Sequence, residues 1–262
     1  MGNLVSYIYN NPDVYKKYGW IKDIPDQRDK YVVLNSNNNL NSKDLRDKFP
    51  GIYNQCNIGS CNANAIAAIY EYIHINKNDK YFYTPSRLFI YYNERFLQNT
   101  TQFDSGSSIS NSIRSLKKYG VCSEMDWQYT TENLKIKPNQ KCYDIGKKNI
   151  INFNYIRLNQ DLDQLKACIC NNNPFIFGFS VYEGFEKKNF TETGIMNYPA
   201  IKEKLLGGHC VVAVGYDDTK EMFIIRNSMG INWGDKGYFY MPYHFITNPD
   251  MCSDFWFIQE NA

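Results

Sequence analysis

The feature that most constrains this chain is the order of four polar residues that lie far apart in the sequence. Gln55 and Cys61 precede a predicted helix, whereas His209 and Asn227 lie in a predicted hairpin near the other end. A thiol, an imidazole and two amides supply what thiol-based acyl transfer needs: a nucleophile, a general acid and base, an orienting group and an oxyanion donor. The chain therefore has to fold so that a helix start meets a hairpin.

Apolar residues recur at spacings of three and four after Cys61 and predict an amphipathic helix. They are Ala63, Ile66, Ala67, Tyr70 and Ile73. A cysteine at the start of that helix lies at the positive end of the helix dipole, which favours thiolate over thiol. The alternative is that Cys61 is only a small buried residue at a helix start, as free cysteines often are. His209 and Asn227 in the same chain favour the first interpretation.

The predicted hairpin decides whether the histidine and the asparagine can meet. Its strands are the apolar runs 210–216 and 222–225, and the polar residues 217–220 between them indicate a turn. Side chains alternate between the two faces of a strand, so an odd loop or a bulge places His209 and Asn227 on one face, whereas a four-residue loop without a bulge separates them. On one face, the asparagine oxygen can accept from one ring nitrogen and leave the other facing the sulfur.

Short motifs surround all four residues. They are Gln55 with Gly59-Ser60-Cys61, Gly208-His209 leading into Val214-Gly215-Tyr216, and Asn227-Ser228 followed by Gly230, Trp233-Gly234 and Gly237-Tyr238. Together they resemble the papain family of cysteine peptidases. Further segments resemble its bacterial-type branch, and asparagine-rich stretches suggest a large virus or a protist as the source. These segments are Tyr18-Gly19-Trp20, Pro25-Asp26-Gln27-Arg28-Asp29, Lys118-Tyr119-Gly120-Val121-Cys122 with Glu124, and Asp254-Phe255-Trp256.

The resemblance implies an α+β fold of the papain-like type, with a helical left domain, a β-rich right domain and the active-site cleft between them. We expect an N-terminal arm or short pro-segment in residues 1–30, the left domain with the nucleophile helix in 31–140, and the right domain in 141–262.

The resemblance also implies a cysteine endopeptidase that works through a thioester acyl-enzyme. Cys61 would attack the peptide carbonyl, and His209 would act as general acid and base while Asn227 orients it. Gln55 would donate to the oxyanion together with the backbone N–H of Cys61. No adjacent histidine pair is present of the kind that cathepsin-B-type enzymes use to bind a substrate carboxylate, which favours endopeptidase action.

Substrate contacts are implied for a second group of residues. They are Gly106, Gly208, Trp233, Ser253 and Asp254. Gly106 stands where the family has two glycines beside the substrate backbone. Ser253 or Asp254 falls at the floor of the pocket for the second residue before the scissile bond. An inward Asp254 would favour a basic side chain and an inward Ser253 an apolar one, and Asp254 making a structural hydrogen bond is a third interpretation.

Two departures from the family pattern leave a second function open. The residue after the nucleophile is usually tryptophan and is Asn62 here, and the tryptophan that usually shields the His–Asn hydrogen bond is Met229. We therefore expect a more solvent-sensitive ion pair. A catalytically silent papain-fold binding protein is the alternative to an active peptidase.

Composition excludes several other classes. The chain has 262 residues and a formal charge of +2, from 29 basic and 27 acidic side chains, which gives no electrostatic reason to expect nucleic acid as a partner. The spacing of the eight cysteines does not match a zinc site, and we expect no metal, no cofactor and mostly reduced, buried thiols. The remaining histidines, His74 and His244, are expected to be structural. Peptide or protein substrates remain as partners, and the oligomeric state stays undetermined.

The N-terminus carries two further expectations. Its aromatic residues could anchor a compact inhibitory segment across the cleft, with 35–41 as an accessible cutting site, or form an arm of the mature fold. They are Tyr7, Tyr9, Tyr15, Tyr18 and Trp20. The start Met1 to Ser6 matches the pattern for myristoylation of Gly2, which would be the one route to a membrane. Without a secretory signal or a long apolar run, we expect a soluble intracellular protein.

Overall fold

The computed structural model describes residues 17–35, 40–77, 83–150 and 153–260. In these ranges the chain forms seven α-helices, seven β-strands and three short 3₁₀ segments. The helices are α1 (Cys61–Asn76), α2 (Arg87–Leu97), α3 (Ile109–Tyr119), α4 (Gln140–Lys148), α5 (Leu162–Cys170), α6 (Lys188–Thr193) and α7 (Tyr243–Ile246). The strands are β1 (Ser42–Asp44), β2 (Phe153–Arg157), β3 (Phe175–Tyr182), β4 (Leu205–Asp217), β5 (Met222–Arg226), β6 (Tyr238–Pro242) and β7 (Cys252–Glu260).

Helix α1 is the predicted nucleophile helix, and its start at Cys61 confirms that prediction. It packs against α2, α3 and β4, so residues Cys61–Tyr72 are buried around the whole helix and not only along one stripe. Polar side chains in this stretch therefore need partners inside the protein. The Asn64 amide donates to the Ser60 carbonyl and accepts from Arg87, which ties α1 to α2.

The strands form one antiparallel sheet in the order β2-β7-β3-β4-β5-β6, and β1 also pairs with β4. Side chains such as Ile176 and Val212 lie in the core cluster that contains α1 and α2. Their neighbours Phe177 and Val211 lie in a second cluster with α5 and α7. Because both faces of these strands are buried, β3 and β4 appear in the sequence as continuous apolar runs.

The hairpin of β4 and β5 is closed by four residues, since Asp217 pairs with Met222. A regular ladder from that loop would place His209 and Asn227 on opposite faces. The register shifts between Ala213 and Gly215, however, and this bulge at Val214 restores a common face. The longer loop with a bulge is thus the alternative that the fold adopts.

Helix α4 packs against α3, and the Gly146 carbonyl of α4 lies against Gly120 at the end of α3. A domain boundary at residue 140 would separate α4 from α3. We propose that the boundary between the two units lies between α4 and β2. Residues 1–16, which include the myristoylation motif at Gly2, lie outside the described residues, as do 36–39 of the asparagine-rich stretch. Within the described ranges, no helix is both long and apolar enough to cross a bilayer.

Candidate active site

The predicted nucleophile lies at the first position of α1 and is fully buried. Burial raises the pKa of the Cys61 thiol to about 12, although backbone N–H groups of Cys210, Gly19 and Asn62 partly offset that effect. Glu94, also buried, raises it further. The thiolate that the helix dipole was expected to favour is therefore not the preferred state in this structure, because the sulfur is closed off from water.

His209 and Asn227 are brought together as the hairpin argument requires. The Nε2 atom of His209 lies 2.8 Å from Oδ1 of Asn227, and the Ser228 N–H donates to the same oxygen at 2.8 Å. Because that oxygen can only accept, Nε2 carries the proton and Nδ1 is left as the base. Nδ1 is enclosed and has no hydrogen-bond partner among the described residues.

Burial lowers the pKa of His209 to about 4, against a partial opposing effect of the Asn227 hydrogen bond. The rings of Tyr18, Phe179 and Phe185 surround the imidazole, with centroids 5.6, 5.7 and 6.0 Å away. These rings exclude water and leave the imidazole neutral. His209 and Asn227 are 0% and 2% exposed, so the hydrogen bond between them is shielded here without the tryptophan that Met229 replaces.

Hydrogen bonds at both ends of its side-chain amide hold Gln55 in one orientation. Its Nε2 donates to the carbonyls of Lys17 and Ile58, at 2.9 Å in both cases. Its Oε1 accepts from Ser228 Oγ at 2.5 Å, and its backbone N–H donates to the Ser228 carbonyl at 2.8 Å. Ser228 thus fixes which way the amide points. Ser228 lies in one of the motifs identified in the sequence. Its contact with Gln55 joins two segments that are far apart in the chain, so no local sequence pattern predicted it.

A segment near the N-terminus runs through the groove beside these residues, and residues 17–21 are called the strap here. The Trp20 N–H donates to the Gly208 carbonyl at 2.8 Å on the right-hand wall. On the left-hand wall, the Ser107 N–H donates to the Gly19 carbonyl and the Ile21 N–H donates to the Ser107 carbonyl, each at 2.8 Å. The strap backbone therefore pairs with both walls of the groove, as an extended peptide would.

Glycines allow the strap to approach this closely. A Cβ atom on Gly19 would lie 1.9 Å from the Gly59 carbonyl oxygen, and one on Gly106 would lie 2.1 Å from the Gly19 oxygen. Gly106 also has a φ of +69°, which favours glycine. Gly106 and Gly208 thus lie against the strap on opposite walls.

The Trp20 side chain occupies a pocket whose wall contains two glycines. A Cβ atom on Gly178 would lie 1.9 Å from the indole, and one on Gly208 would lie 2.5 Å from it. Ser253 pairs directly with Gly178, so its side chain is on the same face of the sheet as the indole. The Ser253 Oγ is buried and has no hydrogen-bond partner among the described residues.

The Asp254 carboxylate holds the part of the chain that follows the strap. Its Oδ2 accepts from the Asp23 N–H at 2.7 Å, and its Oδ1 lies 3.4 Å from Arg157. Burial raises the pKa of Asp254 to about 6, and the nearby Asp23 carboxylate contributes to that rise. Arg157 also pairs with Asp23 at 3.0 Å and with Asp29 at 2.6 Å. This cluster favours the structural interpretation of Asp254.

Trp233 lies one layer of rings away from the imidazole. Its ring centroid is 5.3 Å from those of Phe185 and Phe190, and Phe185 in turn contacts Tyr18 and His209. The structure therefore brings Trp233 to the edge of the site but not onto the strap. Among the described residues, no group of three or more His, Cys, Asp or Glu side chains is arranged to hold a metal ion.

Comparisons with known proteins agree with this geometry. The family model described as Papain family cysteine protease matches residues 39–253. An uncharacterised peptidase C1-like protein of Acanthamoeba polyphaga mimivirus is 35% identical over 94% of this chain and 88% of its own length. Xylellain, a cysteine protease from Xylella fastidiosa, superposes with a TM-score of 0.88 at 38% identity and covers 94% of this chain and 97% of its own.

A more distant structure resembles the chain in fold alone. A digestive procathepsin L of the Tenebrio molitor larval midgut is 16% identical, with a TM-score of 0.72 over 94% of this chain and 78% of its own. These similarities confirm the α+β papain-like fold and the similarity to the bacterial-type branch expected from the sequence.

The depressed pKa of His209 predicts how stability depends on pH. The unfolded chain takes up a proton near the ordinary pKa of about 6.5, whereas the folded chain takes it up only near 4. The contribution of His209 to stability is therefore complete above pH 6.5 and is lost as the pH falls toward 4, by about 3 kcal/mol. Denaturant unfolding of wild type and His209→Gln at pH 4 to 7 measures the free energy of unfolding of each protein. If that free energy changed equally with pH in the two proteins, the prediction would be wrong.

Proposed function

Because this chain belongs to the papain family of cysteine proteases, we propose that Cys61 is its nucleophile and that His209, Asn227 and Gln55 complete the catalytic site. Its substrates are peptides or proteins. The observation that carries the proposal is the position of the strap. Peptide groups of the chain itself lie on the predicted machinery: the Lys17 carbonyl accepts from Gln55, and the Gly19 N–H is directed at the Cys61 sulfur.

In the open site, proton transfer from Cys61 to Nδ1 of His209 produces the attacking thiolate. The sulfur adds to the substrate carbonyl carbon, and the developing oxyanion accepts from Gln55 Nε2 and the Cys61 backbone N–H. His209 then protonates the leaving amine, which leaves a thioester on Cys61. Water attacks that thioester as His209 takes its proton, and release of the acid restores the thiol. Asn227 holds the imidazole in the required tautomer throughout.

The strap is proposed to be an inhibitory segment that the site does not cut. Attack needs one peptide unit to place its oxygen at Gln55 and its carbon at the sulfur. Here the oxygen at Gln55 belongs to Lys17, whereas the group directed at the sulfur is the N–H of Gly19, two residues further on. The carbonyl that accepts from Gln55 and the group on the sulfur therefore belong to different peptide units. This arrangement supports the pro-segment interpretation of residues 1–30 over a passive arm.

Contacts on both sides anchor the strap. Tyr18 donates to Glu186 at 2.7 Å, and Lys17 lies 3.5 Å from the same carboxylate. Beyond the strap, the Asp23 carboxylate accepts from Ser110 N–H and pairs with Arg157. The Asp23 and Arg157 side chains are almost completely enclosed, so breaking that pair without replacing it costs stability. We therefore propose that a cut in the chain or a competing ligand releases the strap of the wild-type protein.

The pocket that holds Trp20 is proposed to select the substrate side chain two residues before the scissile bond. Gly178 makes room for an indole, and the nearby Ser253 hydroxyl is the uncharged polar group at its wall. Asp254 is already paired with Arg157 and Asp23, so it is not free to bind a cation. A bulky aromatic side chain therefore suits the pocket better than arginine. Gly208 and Gly106 are the proposed backbone contacts, and Trp233 is a proposed substrate contact at the edge of the site.

Substitutions at the four catalytic positions test the assignment. Cys61→Ser and His209→Ala should abolish nearly all peptide hydrolysis, because they remove the nucleophile or its base. Gln55→Ala should leave the fold intact and lower kcat by about 10²- to 10³-fold, as loss of one oxyanion donor does elsewhere. Fluorogenic peptide assays under reducing conditions measure the rates. Full activity in Cys61→Ala would refute the assignment, and no activity in wild type with the strap displaced would favour a silent binding protein.

A single substitution in the strap tests its inhibitory role. Gly19→Leu cannot fit against the Gly59 carbonyl, so it should displace the strap and raise both peptide hydrolysis and labelling of Cys61 by an epoxide inhibitor at least tenfold. Gly51→Leu is the matched control, because a Cβ atom there meets no atom within 4 Å. Equal labelling of wild type and Gly19→Leu would support the passive arm instead.

Substrate preference tests the pocket assignment. In the full chain carrying Gly19→Leu, a peptide with Phe at the second position before the scissile bond should be cut at least tenfold faster than its Arg counterpart. Gly178→Ala should reduce that advantage because the added methyl group enters the pocket. Asp254→Asn should leave the preference unchanged. An Arg preference that Asp254→Asn removes would instead identify an acidic pocket.

A further inference from the structure

Asn62, the residue that replaces the family's tryptophan, contacts both the nucleophile and the substrate wall. It is 2% exposed, and its Nδ2 donates to the carbonyl of Ser107. Its Oδ1 lies 3.9 Å from the Cys61 sulfur and accepts from the thiol. The Ser107 carbonyl can only accept, so this contact determines that the oxygen of the amide is the atom that faces the sulfur.

Ser107 is the residue whose backbone pairs with the strap. Its N–H donates to the Gly19 carbonyl, and its carbonyl accepts from the Ile21 N–H as well as from Asn62. A carbonyl oxygen has two lone pairs, so both donors can be accommodated at once. Any extended peptide in the same groove meets a wall whose carbonyl Asn62 holds in place.

We propose that Asn62 is a positioning residue that couples the protonation of Cys61 to the wall that binds the substrate backbone. This inference rests on the proposed role of Cys61 as nucleophile. The amide oxygen stabilises the neutral thiol and opposes the thiolate, while the amide N–H holds the wall. The two ends of one side chain therefore have separable effects, one on the sulfur and one on substrate binding.

Three replacements of Asn62 test its effect on the protonation of the Cys61 sulfur. Asn62→Ala removes both the oxygen and the N–H, so the apparent pKa of the thiol should fall by several tenths of a unit. Asn62→Asp puts a negative charge near the sulfur, so that pKa should rise by about one unit. Asn62→Ser is a second neutral replacement, with the sign expected for alanine, in case the cavity in Asn62→Ala impairs folding.

The pH dependence of Cys61 alkylation by iodoacetamide measures the thiol in the full chain. Fragmentation of the peptide that contains both cysteines in the mass spectrometer separates alkylation of Cys61 from that of the exposed Cys56. A looser strap alone would let water reach the sulfur and would move the midpoint in the same direction in every variant. Midpoints that move in opposite directions for the neutral and the acidic replacement are expected. Unchanged midpoints, or a shift of the same sign in both, would overturn the inference.

Peptide kinetics in the full chain carrying Gly19→Leu measure how Asn62 affects substrate binding at the wall formed by Ser107. Loss of one hydrogen bond should raise KM about two- to tenfold in Asn62→Ala while kcat changes less than twofold. Asn93→Ala is the matched control: Asn93 is another buried helix asparagine, which donates to Phe89 and accepts from Tyr143 away from the groove. It should lower stability and change neither KM nor the midpoint. Equal effects of Asn62→Ala and Asn93→Ala would reduce Asn62 to a structural residue.

Failure of this inference differs from failure of the proposed function. If wild-type Cys61 is alkylated with the expected pH dependence but no peptide is hydrolysed in the Gly19→Leu chain, the peptidase assignment fails. The opposite midpoint shifts would still support the effect of Asn62 on the sulfur. If peptides are hydrolysed but the midpoints do not move, only the role of Asn62 fails.

Discussion

A buried chain of hydrogen bonds joins the two halves of the site, and the rest of the site depends on it. Gln55 is bonded to Ser228 through both its backbone N–H and its side-chain oxygen, and Ser228 N–H donates to the oxygen of Asn227 that also accepts from His209. These groups come from the segment before α1, from β4 and from the residues that directly follow β5. Because each of these donors and acceptors is paired inside the protein, rotating one amide would leave a buried polar group unsatisfied. The orientation of the Gln55 amide and that of the His209 imidazole are therefore set together.

Enclosure explains why Cys61 and His209 are both neutral in this structure. Burial raises the pKa of Cys61 and lowers that of His209, so a thiol and an uncharged imidazole are favoured. The strap contributes to that enclosure, because the Tyr18 ring contacts the imidazole edge to face and the Gly19 N–H is directed at the sulfur. Under the proposed function a substrate replaces the strap, and Cys61 at the start of α1 would then pair with the His209 imidazole, which would stabilise a thiolate. The strap, if inhibitory as proposed, would thus control both access to the site and its protonation.

Much of the architecture was predictable because its signals are local. The spacing of apolar residues after Cys61 predicted a helix that begins at or just after this residue, as α1 does, and the apolar runs around the polar turn predicted the hairpin of β4 and β5. The loop length was not predictable, since a bulge at Val214 depends on packing of both sheet faces rather than on the turn residues. The third interpretation of Asp254 gains support from Arg157 and Asp23, which are distant in sequence and close only in the fold.

The sequence by itself determined the family, the α+β papain-like fold and the four candidate catalytic residues, because these depend on residue type, order and short spacings. Tertiary structure alone decided how Gln55 is oriented, what Asn62 contacts and that the strap lies across the groove. Each of these depends on hydrogen bonds or close packing between segments that are far apart in the chain, such as Lys17 with Gln55 and Gly19 with Gly59. Such contacts leave no periodicity in a sequence, since the energy that selects them is released only when the two surfaces meet.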